Sequence, residues 1–458
     1  MTQRFDAIVV GGGQAGPSLA VRLAGAGRTT ALIERHLLGG TCVNVGCTPT
    51  KALVASAHAA HLARRGRDFG VTTGPVSVDM RAVKARMDAI VTESRTGLEK
   101  WLQSMPNCTF IRGQAQFAGP KLIRVGDETL EADQIFLNVG ARPRIPDMPG
   151  VGTVPFLTSS TILELEELPR HLVIVGGGYV GLEFAQCFRR FGSEVTVVEK
   201  QSRLASKEDE DASAVVREIF TAEGINVRVN ANCIHLEKNG EGVRVGVECE
   251  EGAPHVDGSH VLLAVGRVPN TSDLNLTAAG LEMNERGFIP VDDELRTSVP
   301  GIFALGDCNG RGAFTHTAYN DYEIVADNLL NGESRKVSDR ILVYAVFIDP
   351  PLARVGMSEA EVRKSGKPAM IANRPMTRVG RAIEKGETTG FMKVLVDRET
   401  HHILGATIFG TGGDEAIHCI LTNMYARQPS SLLTHSMHIH PTVSELIPSV
   451  LGDLKPLS

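Results

Sequence analysis

Aromatic residues are scarce in this chain. One tryptophan, five tyrosines and an aromatic share of 5% argue against the stacking platforms that hold single-stranded nucleic acid. Basic charge is not in excess: 47 Lys and Arg stand against 53 Asp and Glu, a formal net charge of −6. No global field therefore draws the chain to nucleic acid or to an anionic membrane. No run of 18 or more apolar residues offers a membrane span. The opening MTQRFDAIVVGGGQAG lacks the apolar stretch and small-residue cleavage site of a secretory signal, so a soluble, cytoplasmic protein is expected. Cysteine is sparse as well. Eight are scattered at 42, 47, 108, 187, 233, 249, 308 and 419, too few for a secreted disulfide framework. Only Cys42 and Cys47 lie close together; isolated cysteines in a reducing compartment read as small core residues.

What is present fits a globular protein: 42% apolar and 22% charged over 458 residues, a length that suggests about three domains. An internal duplication sets their architecture. Residues 6–10 (DAIVV) read as a buried strand, GGGQAG as a tight turn and SLAVRLAGAG as an amphipathic helix, followed by a second strand, TTALIER, with Glu34 near its end. The plan returns 165 residues later as LVIV, GGGYVG, LEFAQCFRRFG and EVTVVEK, which carries Glu199. Each part has a physical task. Gly11 permits the turn, Gly13 lets backbone approach a pyrophosphate, and Gly16 lets the helix pack closely. The helix N-terminus offers unpaired N–H groups to phosphate, and Glu34 can accept ribose hydroxyls. Gly176, Gly178, Gly181 and Glu199 take the same roles in the second copy. A single GxGxxG is a weak signal, whereas two complete copies imply two bound dinucleotides.

Beyond residue 340 the segments ILVYAVF, ARVGM, GFMKVLVD and HILGATIFG are β-rich, with helical stretches near 413–427 and 442–451. They predict an α+β domain with an antiparallel sheet. Linkers are expected at the proline-rich 142–150 and around 332–334.

In LGGTCVNVGCTPTKAL the two cysteines are five apart, with glycines before and between them. Zinc or an iron–sulfur cluster would need further cysteines nearby, and the next is at 108, so no metal site is expected. Two thiols this close can form a small, easily reduced disulfide, as a catalytic pair requires. The helix after Pro49 should lower the pKa of a thiol at its N-terminus.

This segment, GGTCVNVGCTPTK, resembles the redox-active segment of the class I pyridine nucleotide-disulfide oxidoreductases, which include glutathione reductase, dihydrolipoyl dehydrogenase and mercuric reductase. The resemblance runs through both glycine loops, LNVGARP at 137–143, AVGRVPN at 264–270, IFALGD at 302–307 and HIHPTVSE at 438–445. It implies an α/β fold: two Rossmann-like dinucleotide-binding domains plus a C-terminal α+β dimerisation domain. The FAD-binding domain would comprise 1–148 and 270–335, the NAD(P)H-binding domain 149–269 and the dimerisation domain 336–458. Cys42 then resembles the thiol that attacks substrate, and Cys47 the thiol that contacts the flavin. Lys51 and Glu183 resemble the ion pair near flavin N5, Tyr179 the aromatic gate over the flavin, and Asp307 the ligand of the ribityl chain. Thr41, Gly140 and Gly266 fall in segments assigned to cofactor contact. His440 and Glu445 resemble an acid–base dyad that reaches the cysteines of the opposite subunit, implying a homodimer. Without the resemblance, His440 beside a proline reads as a surface or packing residue. His438 makes a metal pair conceivable, but no nearby cluster completes it.

Glu199 favours a free 2′-hydroxyl and hence NADH, because a 2′-phosphate would meet a like charge; Lys200 and Arg203 just beyond it could shift the balance to NADPH. The substrate is expected to be a small disulfide or thiol-reactive molecule. VVEK and HIHPTVSE look like dihydrolipoyl dehydrogenase, CVNVGCTPTK and FTHTAYNDYEIVADNLL like mercuric-reductase-like proteins. The chain has no cysteine after Cys419, and handing Hg(II) inward without auxiliary thiols would be inefficient. Small oxidants such as hypothiocyanous acid are also compatible. Tyr319 and Tyr322, after the Asp307 motif, read equally as packing or as substrate contacts. A soluble transhydrogenase, an NADH oxidase or a redox-sensing flavoprotein would share the fold without needing the cysteine pair.

Overall fold

The computed structural model describes residues 2–248 and 252–457, so Cys249 lies outside the described residues. Two compact units emerge. The first comprises Met1–Ala52, Lys84–Arg144 and Gly266–Arg340; the second comprises Leu53–Val83, Ile145–Val265 and Ile341–Ser458.

In the first unit, strand Thr2–Val10 points Phe5, Ile8 and Val10 into one apolar cluster and Ala7 and Val9 into another. A strand covered on both faces needs a continuous apolar run, which is why 6–10 carries one. It pairs in parallel with Thr30–Glu34 and Glu128–Leu137, and Cys108–Arg112 and Ile302–Ala304 extend the parallel sheet on either side. Helix Ala15–Gly25 makes the first crossover. Strands Ala115–Gly119 and Leu122–Val125 add an antiparallel edge.

The second unit repeats this plan. Asn226–Arg228, Glu194–Val198, His171–Val175 and His260–Leu263 form a parallel sheet in that order. Helix Tyr179–Phe191 makes its crossover, and Asn232–Asn239, Gly242–Glu248 and His255–Gly258 form a separate antiparallel sheet. The same unit holds a six-stranded sheet in the order Val343–Val346, Leu352–Gly356, Ile403–Phe409, Phe391–Asp397, Ala369–Pro375, Lys455–Pro456, antiparallel throughout. Helix Gly413–Tyr425 packs Ala416, Ile417 and Ile420 into the core of that sheet.

Two expectations are corrected. The stretch 142–150 does not begin as free linker, because Ala141–Pro143 pairs antiparallel with Arg267–Pro269. The last helix, Leu446–Gly452, starts at Leu446, not 442. Residues 442–445 are spent on side-chain bonds instead: Thr442 Oγ1 donates to the Ile439 carbonyl and accepts from Glu445 N–H.

Candidate active site

The first glycine turn is built by steric exclusion. Gly11 has φ +107°, and a Cβ there would lie 2.2 Å from the Asn138 carbonyl oxygen. A Cβ on Gly16 would lie 2.0 Å from the Gly11 carbonyl oxygen, so the third glycine lets the helix approach the turn itself. Glu34 closes the turn from the second strand: its carboxylate accepts from Gly12 N–H and His36 N–H, both at 2.7 Å. Each oxygen keeps lone-pair capacity for a ribose hydroxyl. A cleft of about 320 Å³ opens here, lined among others by Gly11, Glu34, Thr41, Asn44, Gln114 and Asn270. Its shape and donor set suit the adenosine end of a dinucleotide.

Sequence reasoning missed Asn138. Its Oδ1 accepts from Gly16 N–H at 3.0 Å, while its Nδ2 donates to the Leu305 carbonyl at 3.1 Å. It thereby ties the start of the crossover helix to the strand ends. Its place in LNVGARP was the available signal. Arg267 was missed as well. It donates to Thr41 Oγ1 at 3.2 Å and to the Ala141 carbonyl, and lies 3.9 Å from Asp307. Burial pushes the Asp307 carboxyl up, with Arg267 opposing and Asp321 adding to the rise.

The second turn reproduces the first nearly atom for atom. Gly176 has φ +117°, a Cβ on Gly181 would lie 2.1 Å from the Gly176 carbonyl oxygen, and Glu199 accepts from Gly177 N–H at 2.5 Å and Gln201 N–H at 2.7 Å. A Cβ on Gly178 would meet no atom within 4 Å, which leaves the helix start open for a pyrophosphate. Gly140 and Gly266 are likewise open at positive φ, +65° and +106°. A larger polar cleft of about 640 Å³ in the second unit is lined by His171, Arg217 and Arg228 among others, and by none of these glycines nor by Glu199.

Cys42 lies on the short helix Gly40–Val45, half-buried, and Cys47 opens the helix Cys47–Arg64, exposed. Gly39 and Gly40 both take positive φ before them, which makes the tight entry possible. Cys47 is thus the thiol at a helix N-terminus. Cys42 is driven the other way: a hydrogen bond with Cys47, then burial, push its thiol up, against a lowering contact from Thr315. Lys51 follows Cys47 by one turn on the same helix. By contrast, Cys308 is fully buried and pushed up to about 12 by desolvation, the state of an inert core thiol.

In the second unit, Glu183 is buried and accepts from Phe347 N–H at 2.9 Å. Gln186 and Arg190 on the same helical face bind Asp349, through its backbone and its carboxylate respectively. Tyr179 opens this helix and is exposed. His440 Nδ1 lies 2.9 Å from Glu445 Oε2; the histidine side chain is 81% exposed and the carboxylate 18%. The half-buried acid therefore orients an imidazole whose other edge faces outward. His438 turns away, with Nε2 3.3 Å from the Leu433 carbonyl. Tyr322 packs on the core of the first unit, while Tyr319 touches it edge-on at 4.7 Å and stays exposed.

Residues 5–321 match the pyridine nucleotide-disulphide oxidoreductase family model, and 343–450 match that family's dimerisation domain. The chain is 37% identical to RclA of Escherichia coli, covering 99% of this chain and all of the relative. It is 34% identical to a mercuric reductase of Streptomyces lividans, covering 97% and 94%. A dihydrolipoyl dehydrogenase of Chlamydia pneumoniae is 33% identical over 97% and 96%. A solved structure of RclA, described as the Cu(II) complex of an HOCl-induced flavoprotein disulfide reductase, superposes with a TM-score of 0.90 at 35% identity, covering 99% of each chain.

Proposed function

The chain belongs to the pyridine nucleotide-disulphide oxidoreductases, and from that premise we propose that Cys42 and Cys47 are its working redox pair, with His440 and Glu445 as the dyad that moves their protons. It is an FAD-dependent enzyme driven by NAD(P)H. Bound FAD supplies the relay of hydride equivalents between nicotinamide and disulfide. Gly11, Gly13, Gly16, Glu34, Thr41, Gly140 and Asp307 would hold the flavin dinucleotide. Gly176, Gly178, Gly181, Glu199 and Gly266 would serve the nicotinamide dinucleotide, with Tyr179 covering its site. Lys51 and Glu183 would act as an ion pair beside the flavin. Cys42 attacks the substrate, and His440 takes and returns its proton.

The dimerisation domain at 343–450 supports a homodimer. We place His440 opposite the cysteines of the other subunit, which accounts for an oriented dyad left facing outward. The functional segments follow as 1–148 with 270–335 for FAD, 149–269 for NAD(P)H and 336–458 for assembly. No helix among the described residues is long and apolar enough to cross a membrane. We place the enzyme in the cytoplasm, where reduced thiols are maintained.

The observation that carries this reading is the hydrogen-bonded Cys42 and Cys47 at the start of a helix. Anaerobic titration with NADH tests it. At two-electron reduction a long-wavelength band from the Cys47 thiolate beside oxidised flavin is expected. Bleaching without that band removes the cysteines from the electron path and leaves oxidase or transhydrogenase chemistry.

NADH is the proposed donor. Glu199 would meet the ribose hydroxyls, and Arg203 is engaged elsewhere: it bonds Glu210 at 3.1 Å and the carbonyls of Ser206 and Glu208. Neither arrangement welcomes a 2′-phosphate. Glu199→Gln keeps the shape and removes the charge, so the ratio of kcat/KM for NADPH over NADH should rise at least about tenfold, a 1.4 kcal/mol change. An unchanged ratio would remove Glu199 from cofactor choice.

As substrate we favour a small thiol-reactive species, either an oxidant or a thiophilic metal ion. RclA is described as HOCl-induced and as forming a Cu(II) complex, and another relative is a mercuric reductase. Oxidants and soft metals both react at thiolates. Turnover with hypothiocyanous acid or Hg(II) should exceed turnover with lipoamide; the reverse order would assign the chain to the dihydrolipoyl class.

A further inference from the structure

The loop between Glu199 and the helix Glu210–Ala222 carries a cation, Arg203, four residues beyond the carboxylate that would meet the ribose hydroxyls. A guanidinium so placed suits a 2′-phosphate unless something keeps it away. We propose that Tyr344 and Arg354 are positioning residues for the choice of nicotinamide: they hold Glu208, and with it the loop 200–209, so that Arg203 stays folded on its own carbonyls instead of reaching a 2′-phosphate. The proposal rests on the reading of the Gly176 turn and Glu199 as the NADH site.

Tyr344 and Arg354 face each other across the antiparallel strands Val343–Val346 and Leu352–Gly356 of the six-stranded sheet. Tyr344 Oη donates to Glu208 Oε1 at 2.5 Å, across 136 residues of sequence, and Arg354 Nη1 lies 3.5 Å from Glu208 Oε2. The Arg354 and Glu208 side chains are only 5% and 7% exposed. Arg354 also donates to the Lys207 carbonyl at 3.4 Å and to Glu361 at 2.7 Å. Burial, then the Glu208 carboxylate, push the Tyr344 phenol well up, so it remains the donor. Arg354 Nε has no hydrogen-bond partner among the described residues. A buried ion pair kept at such a cost is a poor source of stability, and fixing one arrangement of the chain is its better-attested use.

What Glu208 fixes is one wall of the second glycine turn. Its N–H donates to the Ala205 carbonyl at 2.8 Å, and Ala205 N–H donates to the Gly177 carbonyl at 2.9 Å. Leu204 is buried against the same glycine, its Cδ2 only 2.8 Å from where a Cβ on Gly177 would lie. Gly177 N–H in turn donates to Glu199, so carboxylate, turn and loop share one hydrogen-bonded path. Arg203 is folded into this loop. Its Nη2 donates to the carbonyls of Ser206 and of Glu208 itself, so the hold on Glu208 also sets where the guanidinium rests. The next residue is tied to the same sheet's domain. Asp209 makes no side-chain cap on helix Glu210–Ala222 and instead accepts from Glu359 and Ala360 N–H at 3.0 and 3.2 Å. A remote domain thus anchors two consecutive side chains, and a residue presented from a fixed element keeps its place.

The test measures kcat/KM of the holoenzyme for NADH and for NADPH, with an artificial dye as acceptor. Glu208→Ala releases the loop and strands no charge, because Arg354 keeps Glu361. Tyr344→Phe is the milder release should that variant fold poorly. An exposed guanidinium–phosphate pair is worth about fivefold, so kcat/KM for NADPH should rise by that factor while the value for NADH stays level or falls. Damage to the fold would lower both values together. With Arg203→Met already in place, Glu208→Ala should move the NADPH/NADH ratio by less than about twofold, because the cation it would free is gone. An unchanged ratio, a loss shared by both cofactors, or a gain that survives Arg203→Met overturns the proposal alone. A wild-type enzyme that prefers NADPH, or Glu199→Gln with an unchanged ratio, overturns the NADH reading and the proposal with it.

Discussion

Cys42→Ser is expected to lower disulfide or oxidant reduction by at least about a thousandfold while NADH-driven reduction of an artificial dye continues. The first half follows from nucleophilicity. A thiol is acidic enough for His440 to hold it as thiolate near neutral pH, whereas a serine hydroxyl is not, and its oxygen cannot form the disulfide on which the reduction cycle turns. The second half follows from where the electrons leave. The glycine turns around Gly11 and Gly176 are untouched by a change at position 42, and a dye needs no cysteine. His440→Gln should cost less, about a hundredfold to ten-thousandfold, because proton transfer is assisted rather than abolished, and should flatten the pH profile of substrate reduction. The pair of rates, measured on one preparation of each variant, decides between classes. Unchanged turnover of the native acceptor in Cys42→Ser would refute the thiol mechanism.

How far this site can be read from sequence depends on how local each feature is. The glycine turns are legible because strand, turn and helix are consecutive and only glycine escapes the carbonyls of Gly11, Asn138, Gly176 and Ala264. The antiparallel C-terminal sheet was visible in its β-rich segments for the same reason. The cysteine pair was legible as a pair, but its division of labour came from resemblance. His440 and Glu445 are five apart, yet a histidine before a proline has many uses, and spacing alone does not bring an acid to its Nδ1. What stayed hidden is what the topology assembles from afar: Asn138 on the Gly16 amide, Arg267 on Thr41, and Thr315 on Cys47. None of these has a periodicity to betray it. Lys393 is intermediate. A lysine within the apolar strand FMKVLVD signals a buried partner, but not which one.

Lys393→Met should destabilise the fold by about 3–5 kcal/mol. The side chain is 2% exposed, and its Nζ lies 3.0 Å from Asp209, 2.8 Å from Asp211 and 3.2 Å from Glu359. Methionine fits the space, so the loss comes from leaving carboxylates in a poorly solvated site without their cation. Asp211 and Glu359 retain some access to water, which argues for the lower end of the range. The pH dependence has a definite sign. Burial raises the Asp209 carboxyl, but the Glu359 and Ala360 amides and Lys393 outweigh it and hold the group below its ordinary value. Its contribution is therefore full above about pH 4 and fades as pH falls through the lowered value. Burial lowers Lys393, but Asp211 and Asp209 prevail and raise it. Its contribution is full below about pH 10 and fades only as pH rises through the raised value. The stability gap between wild type and Lys393→Met, measured by urea denaturation, should then stay level from about pH 5 to 9 and narrow outside that window. Adding Asp209→Asn should recover part of the loss, because it removes one stranded charge and keeps an acceptor for the Glu359 amide. A gap under about 1 kcal/mol, or one that changes steeply between pH 6 and 8, would mean that water or a further cation already compensates these carboxylates.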